Sequence, residues 1–161
     1  MKRRATATKN VQPTSLSYAL LAMQAALLLA ILAYPGIREG GAHILLANTL
    51  RLVGLSIVFI ALWQLRRYSL STLPEPVKGA QLRTRGLYGR MRHPVYSGLM
   101  LWGIGTVMIR PGVVRFGLLM ALITLFWVKS QREEQLLGQA FGTRYARYRL
   151  STPRFIPRRR T

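Results

Sequence analysis

Two short clusters hold most of the residues in this chain that could do chemistry: Arg92-His93-Pro94-Val95-Tyr96 and Glu133-Glu134. With only four acidic residues and two histidines in 161, an adjacent carboxylate pair and a histidine beside an arginine both carry information. Pro94 suits the first turn of a helix, where its missing N–H would be unpaired anyway. A helix starting there points its free amides at Arg92 and His93, which makes an anion site of amides, guanidinium and imidazole. The plain alternative is a boundary arginine with a capping histidine. The glutamate pair suits a cationic or polyhydroxyl partner, and its plain alternative is a surface pair offsetting Lys129 and Arg132. Neither cluster decides the matter by itself; their placement does.

The elements that must position them are hydrophobic. Half of the residues are hydrophobic although the formal net charge is +20, a combination that fits a membrane protein with its charges crowded into loops. Four apolar segments stand out: Leu16–Tyr34, Ala42–Leu65, Pro94–Ile109 and Gly112–Val128. A bilayer core takes about 20 residues of helix. The first two segments meet that length; the last two are shorter and form a tight hairpin turning at Arg110-Pro111-Gly112, which bilayer thinning or snorkelling can accommodate. The first segment follows Met1-Lys2-Arg3-Arg4 but lacks a directly following signal-type cleavage site, and it is read as a retained span. The expected fold is all-α, an integral membrane bundle of about four transmembrane helices plus a C-terminal interfacial helix.

Lysine and arginine set the direction. Four precede the first span, seven lie between Arg66 and Arg92, and nine lie from Lys129 onward, against Arg38, Arg110 and Arg115 on the other side. The positive-inside rule then makes both termini and the central connector cytoplasmic, with Trp63 and Trp127 as interfacial anchors. The layout reads as a basic N-terminus (1–15), a transmembrane hairpin (16–65), a cytoplasmic connector (66–93), a second hairpin (94–128) and an interfacial helix with a basic tail (129–161). In the last part Leu137, Phe141 and Tyr145 recur at four-residue spacing over Ser130–Leu150, with Gly142 a potential break. Arg51 lies inside the second span, as either a functional cation or a side chain snorkelling outward. Charges that flank membrane-length segments do not form a nucleic-acid face, so nucleic acid is not expected as a partner. With no cysteine and two histidines, no metal centre is expected either.

A hairpin returns both clusters to one face of the bilayer. A ligand carrying a carboxylate, an ammonium, a ribose and a sulfonium would use both, and S-adenosylmethionine is such a ligand. The segments Gly86-Leu87-Tyr88, Arg92-His93-Pro94-x-Tyr96-x-Gly98 and Glu133-Glu134-x-x-Leu137-x-x-x-Phe141-Gly142-x-x-Tyr145-x-x-Tyr148, followed by Pro153-Arg154-Phe155-Ile156-Pro157, resemble the isoprenylcysteine carboxyl methyltransferase family, whose wider group includes membrane phospholipid N-methyltransferases. The resemblance covers residues 82–157. It implies an integral membrane methyltransferase that uses S-adenosylmethionine at its cytoplasmic side and takes a lipophilic acceptor from the bilayer. By motif match it implies cofactor contacts at Tyr88, His93, Pro94, Tyr96, Gly98, Glu133 and Glu134, catalytic roles for Arg92 and His93, and a weaker assignment for Tyr145. The chain lacks the extra N-terminal spans of the eukaryotic enzymes, which puts a prenylcysteine substrate in question.

A carboxylate acceptor is already ionised at neutral pH and needs orientation rather than a base, with Arg92 or another loop arginine holding it. An amine must lose a proton, and His93 and the glutamates are the few bases at hand. The leading expectation is therefore methyl transfer to a lipophilic carboxylate. Phospholipid or amine N-methylation is the alternative, and a reductase on the same scaffold the more distant one. The expected partners are membrane lipids and a lipophilic substrate, and the expected location is a prokaryotic inner membrane. The sequence leaves the acceptor and the oligomeric state open.

Overall fold

The computed structural model describes residues 14–35, 41, 43–66 and 82–157. The basic N-terminal segment before residue 14, most of the connector (67–81) and the terminal Arg158-Arg159-Arg160 lie outside the described residues. Five α-helices follow one another: α1 (Ser15–Ala33), α2 (His43–Leu65), α3 (Pro94–Ile109), α4 (Val113–Phe141) and α5 (Thr143–Ser151), with a short 3₁₀ turn at Gly86–Gly89 before α3. Among the described residues there is no strand. Tyr34, before Pro35, takes an extended conformation and ends α1, because proline disfavours the helical region for its predecessor. Pro94 occupies the first turn of α3 as expected, with His93 as the N-cap.

Length separates the helices. At about 1.5 Å per residue, the 19 residues of α1 and 23 of α2 match a hydrocarbon core of about 30 Å. The 29 residues of α4 exceed it by several turns. Its apolar part runs to Val128, and the stretch from Lys129 to Phe141 continues the same helix past the bilayer. The expected single interfacial helix over Ser130–Leu150 is therefore two pieces: the end of α4, and α5 after a break at Gly142. Gly142 sits at φ +52°, a left-handed value that glycine adopts without a Cβ clash. Among the described residues three helices are long and apolar enough to cross a membrane, and α3, with 16 residues, is a shorter apolar helix. Large side chains such as Leu29, Leu45, Leu52, Phe59 and Phe116 point outward. That suits a lipid solvent, because a soluble bundle would bury such a set.

α2 and α3 pack backbone against backbone. A Cβ on Gly54 would lie 2.5 Å from the Gly98 carbonyl oxygen, and one on Gly98 would lie 2.5 Å from the Gly54 carbonyl oxygen. A Cβ on Gly105 would collide with the Ala47 carbonyl. Apolar burial does not drive helix association within lipid, so close approach through small residues carries the contact.

The opposite pair, α1 and α4, is joined by polar side chains. Arg115, 2% exposed, donates from Nη2 to the Ile31 carbonyl at 2.6 Å and from Nε to the Tyr34 carbonyl at 3.1 Å. Its Nη1 reaches the Thr106 and Arg110 carbonyls at 3.3 and 3.1 Å. One guanidinium thus satisfies unpaired carbonyls at the C-termini of both α1 and α3, where a cation also meets the negative helix end. Arg51, Arg110 and Arg115 line a cavity of about 260 Å³ at this end of the bundle.

Candidate functional site

The other end gathers the starts of α1 and α3 with the distal part of α4. Arg132 donates to the Thr14 hydroxyl at 2.6 Å, and Gln64 at the end of α2 accepts from the Leu87 amide at 3.0 Å. The residues after α5 fold back onto the same place. The Arg92 and His93 amides donate to the Pro153 and Arg154 carbonyls at 2.9 and 3.0 Å, and the Ser97 hydroxyl donates to the Phe155 carbonyl at 2.7 Å. The segment Pro153-Arg154-Phe155 is a strap across the N-terminus of α3. It takes up the backbone amides of Arg92 and His93, which lead into the helix.

Beneath the strap the two clusters meet. His93 is 6% exposed, with Nδ1 3.1 Å from Glu133 Oε2 and Nε2 3.2 Å from Glu134 Oε1. Both ring nitrogens thus face carboxylates, which accept and cannot donate when ionised, and only the imidazolium supplies a proton to each. Burial opposes that charge, but the hydrogen bonds and charges of Glu133 and Glu134 outweigh it and hold the His93 pKa above its ordinary value. The Tyr96 hydroxyl donates to Glu133, while its ring stacks between His93 and Phe126, with centroids 5.5 and 4.8 Å away.

Glu134 is the hub. Arg154 donates to it through two nitrogens, Nε at 2.8 Å and Nη2 at 3.0 Å, and Arg92 Nη1 adds a contact at 3.2 Å. The two-pronged contact of Arg154 fixes the carboxylate plane. Burial alone would raise the Glu134 pKa, but His93 and Arg154, together with the charge of Arg92, bring it down to about 2. Two buried polar atoms beside this hub, Arg92 Nε and the Tyr145 hydroxyl, make no well-formed hydrogen bond, although the Arg92 guanidinium lies close enough to Tyr145 to interact with its phenol. The Tyr145 phenol is pushed up to about 12, by burial and then by Glu134. Tyr88, on the 3₁₀ turn, lies near enough to Glu133 for that charge to add to burial in raising its phenol. The Tyr88 carbonyl accepts the Tyr148 hydroxyl at 2.6 Å.

Of the residues singled out in the sequence, Arg92, His93, Tyr96, Glu133 and Glu134 form one connected network. Pro94 starts the helix that carries it, and Tyr88 and Tyr145 stand at its edge. Gly98 is not brought into it: its open face meets α2, so the tight fit there is between helices. Arg51 is at the far end of the bundle, bonded through Nη1 to Asn48 at 3.3 Å. Arg154 was not singled out, although it lies in a quoted motif. Lys129 and Gln24 were also missed, and Lys129 Nζ donates to Gln24 Oε1 at 2.5 Å. The signals were available: Lys129 sits one helical turn before Glu133, and Gln24 is an amide in an otherwise apolar stretch. The network is closed on itself, and of the two cavities described neither borders it. The second, about 350 Å³, lies between Thr84 and the α5 face bearing Arg144 and Arg147.

Comparison with known proteins follows the same lines. The family model described as phospholipid methyltransferase matches residues 42–144, more than half of the chain. Protein-S-isoprenylcysteine O-methyltransferase B of Arabidopsis thaliana is 35% identical over 78 residues, which is 48% of this chain and 40% of that protein. The Schizosaccharomyces pombe protein-S-isoprenylcysteine O-methyltransferase is 38% identical over 79 residues, 47% of this chain and 33% of that protein. The human one is 32% identical over 77 residues, 47% and 27%. The chain thus spans well under half the length of these relatives. Among solved structures, a eukaryotic intramembrane Ras methyltransferase (isoprenylcysteine carboxyl methyltransferase) superposes with a TM-score of 0.59 at 21% identity, covering 91% of this chain and 54% of that one. At that identity the likeness is one of fold, and it is a fold of membrane helices.

Proposed function

This chain belongs to the phospholipid methyltransferase family, and from that premise we propose that it is an integral membrane methyltransferase that uses S-adenosylmethionine to methylate a lipophilic carboxylate such as an isoprenylcysteine. The observation that supports this most is the charged network of His93, Glu133 and Glu134 assembled where α3 begins and α4 leaves the bilayer. Polar groups at such a boundary can serve a water-soluble donor from one side and a lipid-borne acceptor from the other. Arg92 Nε and the Tyr145 hydroxyl suit a ligand carboxylate, and Glu133 suits an ammonium or ribose hydroxyls; the residue types fit the donor, which would exchange for contacts the network now makes with itself. When bound, the donor supplies a sulfonium methyl open to in-line attack.

The chain's own residues would then do three things. Arg92 and Tyr145 hold an anion, and Glu134 and Arg154 keep Arg92 in place. Tyr96 and Phe126 wall the site with stacked rings, and the strap 153–157 keeps water out, which strengthens every charge interaction inside. No residue has to remove a proton from a carboxylate acceptor. That agrees with His93, whose ring nitrogens are both committed to carboxylates, being a poor base. The name of the matching family model favours a second reading, N-methylation of a phospholipid or amine. The cytoplasmic orientation of the network and of both termini, and residence in a prokaryotic inner membrane, belong to the same proposal.

The test is to incubate the protein in native membranes or nanodiscs with methyl-labelled S-adenosylmethionine and extracted lipids. The expected product is base-labile and releases labelled methanol. A base-stable label in the phospholipid fraction would transfer the assignment to N-methylation, and no label together with no donor binding would remove the methyltransferase reading.

A further inference from the structure

Three features of the molecule are unused by this account: the arginine-lined cavity at the far end, the Arg144–Arg147 cavity beside α5, and the Lys129–Gln24 pair inside the bundle. The first is largely explained by Arg115 capping two helices, and the second is lined by arginines that are exposed to solvent. The third is buried, charged and adjacent to the proposed site.

Lys129 is 2% exposed, and among the described residues its ammonium has no carboxylate in ion-pair contact. It donates to the neutral amide oxygen of Gln24 at 2.5 Å and lies 5.4 Å from the centre of the Tyr96 ring. Glu133, one turn further along α4, is engaged by His93 and Tyr96 instead. Of the cations nearby, Arg92 and Arg154 bond Glu134. The Glu133 charge acts on Lys129 from one turn away without a direct ion pair, and a buried ammonium held only by a neutral amide is costly and persists where it has a use. Gln24 is half-buried, halfway along α1, where a polar amide in an apolar span also needs a reason.

We infer that Lys129 is the acceptor-carboxylate holder, with the Gln24 amide oxygen marking the position that a carboxylate oxygen of the lipophilic acceptor takes. This rests on the methyltransferase reading above and deepens it. The ammonium has three donors and uses one on Gln24, so a carboxylate entering between α1 and α4 can replace or share that contact. It would then meet a cation on the membrane side of the Tyr96–Glu133 pair, next to the donor site and away from water. Arg154 spends its fork on Glu134 and Arg92 is assigned to the donor's carboxylate, which leaves the lysine for the acceptor. Gln24 lies outside the stretch matched by the family model, whereas Lys129 lies inside it.

The experiment uses the full chain in nanodiscs and three variants, Lys129→Met, Lys129→Arg and Gln24→Leu. The probes are an S-farnesylated cysteine with a free carboxylate and its carboxamide, with S-adenosylmethionine binding and melting temperature measured in parallel. In the wild type the carboxylate is expected to bind at least tenfold more tightly than the carboxamide. Lys129→Met should abolish that preference while donor affinity and melting temperature hold or rise, because a buried unpaired charge has been removed. Lys129→Arg should restore part of the preference, and Gln24→Leu should change acceptor KM with little effect on donor affinity. Absence of any carboxylate preference in the wild type, or its retention in Lys129→Met, overturns the assignment. A fall in melting temperature in Lys129→Met with the preference intact makes the lysine a structural strut and overturns it too. Failure of the wild type to bind S-adenosylmethionine is a different result, since it removes the methyltransferase reading itself.

Discussion

Single residues divide between holding the network together and leaving room for a ligand. Glu134 belongs to the first kind, because its loss leaves Arg92, Arg154 and His93 as neighbouring cations without their shared anion. Breaking a buried ion pair by removing one partner costs about 3–5 kcal/mol, so Glu134→Gln is expected to lower unfolding stability by that order, read by chemical or thermal melting in detergent. Glu133→Gln should cost less, since the amide oxygen can still accept from His93 while the amide nitrogen donates to the Tyr96 hydroxyl; equal losses in the two variants would contradict the hub role. The pH dependence carries two signs. His93 is raised, so its contribution is full below the unfolded value of about 6.5 and is lost as pH rises through its folded value. Glu134 is depressed, so its contribution is full above the ordinary carboxylate range and is lost as pH falls toward about 2. Melting temperature measured from pH 6 to 9 should therefore decline with a component that His93→Gln removes. The types of these residues were legible in the sequence because acids and histidines are so few. Their roles were less so. Glu133 and Glu134 are adjacent and look alike, and only the helix phase decides which of them faces the arginines. Arg154 was hidden among many arginines, since nothing in the chain says which one folds back.

At the scale of elements, the hydrophobic segments were read closely where composition changes sharply. Pro94 fixed the start of α3, and Ile109 before Arg110-Pro111-Gly112 fixed its end. The end of α4 was not legible in this way, because charge appears at Lys129 while the helix runs on: polar residues mark the edge of the bilayer rather than the end of a helix. Gly98 was attributed to a ligand because its motif is shared with a binding family, yet its missing side chain lets α3 lie against α2. Gly98→Ala is therefore expected to destabilise by about 1–3 kcal/mol through overpacking, whereas Gly117→Ala on α4, where a Cβ meets nothing within 4 Å, should be neutral or stabilise by up to about 1 kcal/mol. Melting curves of the two variants in one detergent give the comparison, and a Gly98→Ala protein as stable as Gly117→Ala would remove the backbone contact from the account.

For the molecule as a whole, the bundle has two unlike ends. At one, Arg115 closes helix C-termini with main-chain bonds. At the other, scarce carboxylates are gathered under a strap from the chain's last described residues. Truncation after Thr152 should therefore open the network while sparing the spans: the apolar helices should still insert, and donor affinity should fall at least tenfold. The most direct check of the central claim is equilibrium binding of S-adenosylmethionine to the protein in nanodiscs, comparing wild type with Tyr145→Phe and Glu133→Gln at matched melting temperature. The account predicts binding by the wild type and at least a tenfold loss in each variant. Affinity unchanged in both would place the donor elsewhere and leave the His93–Glu133–Glu134 network as a fastener of the fold.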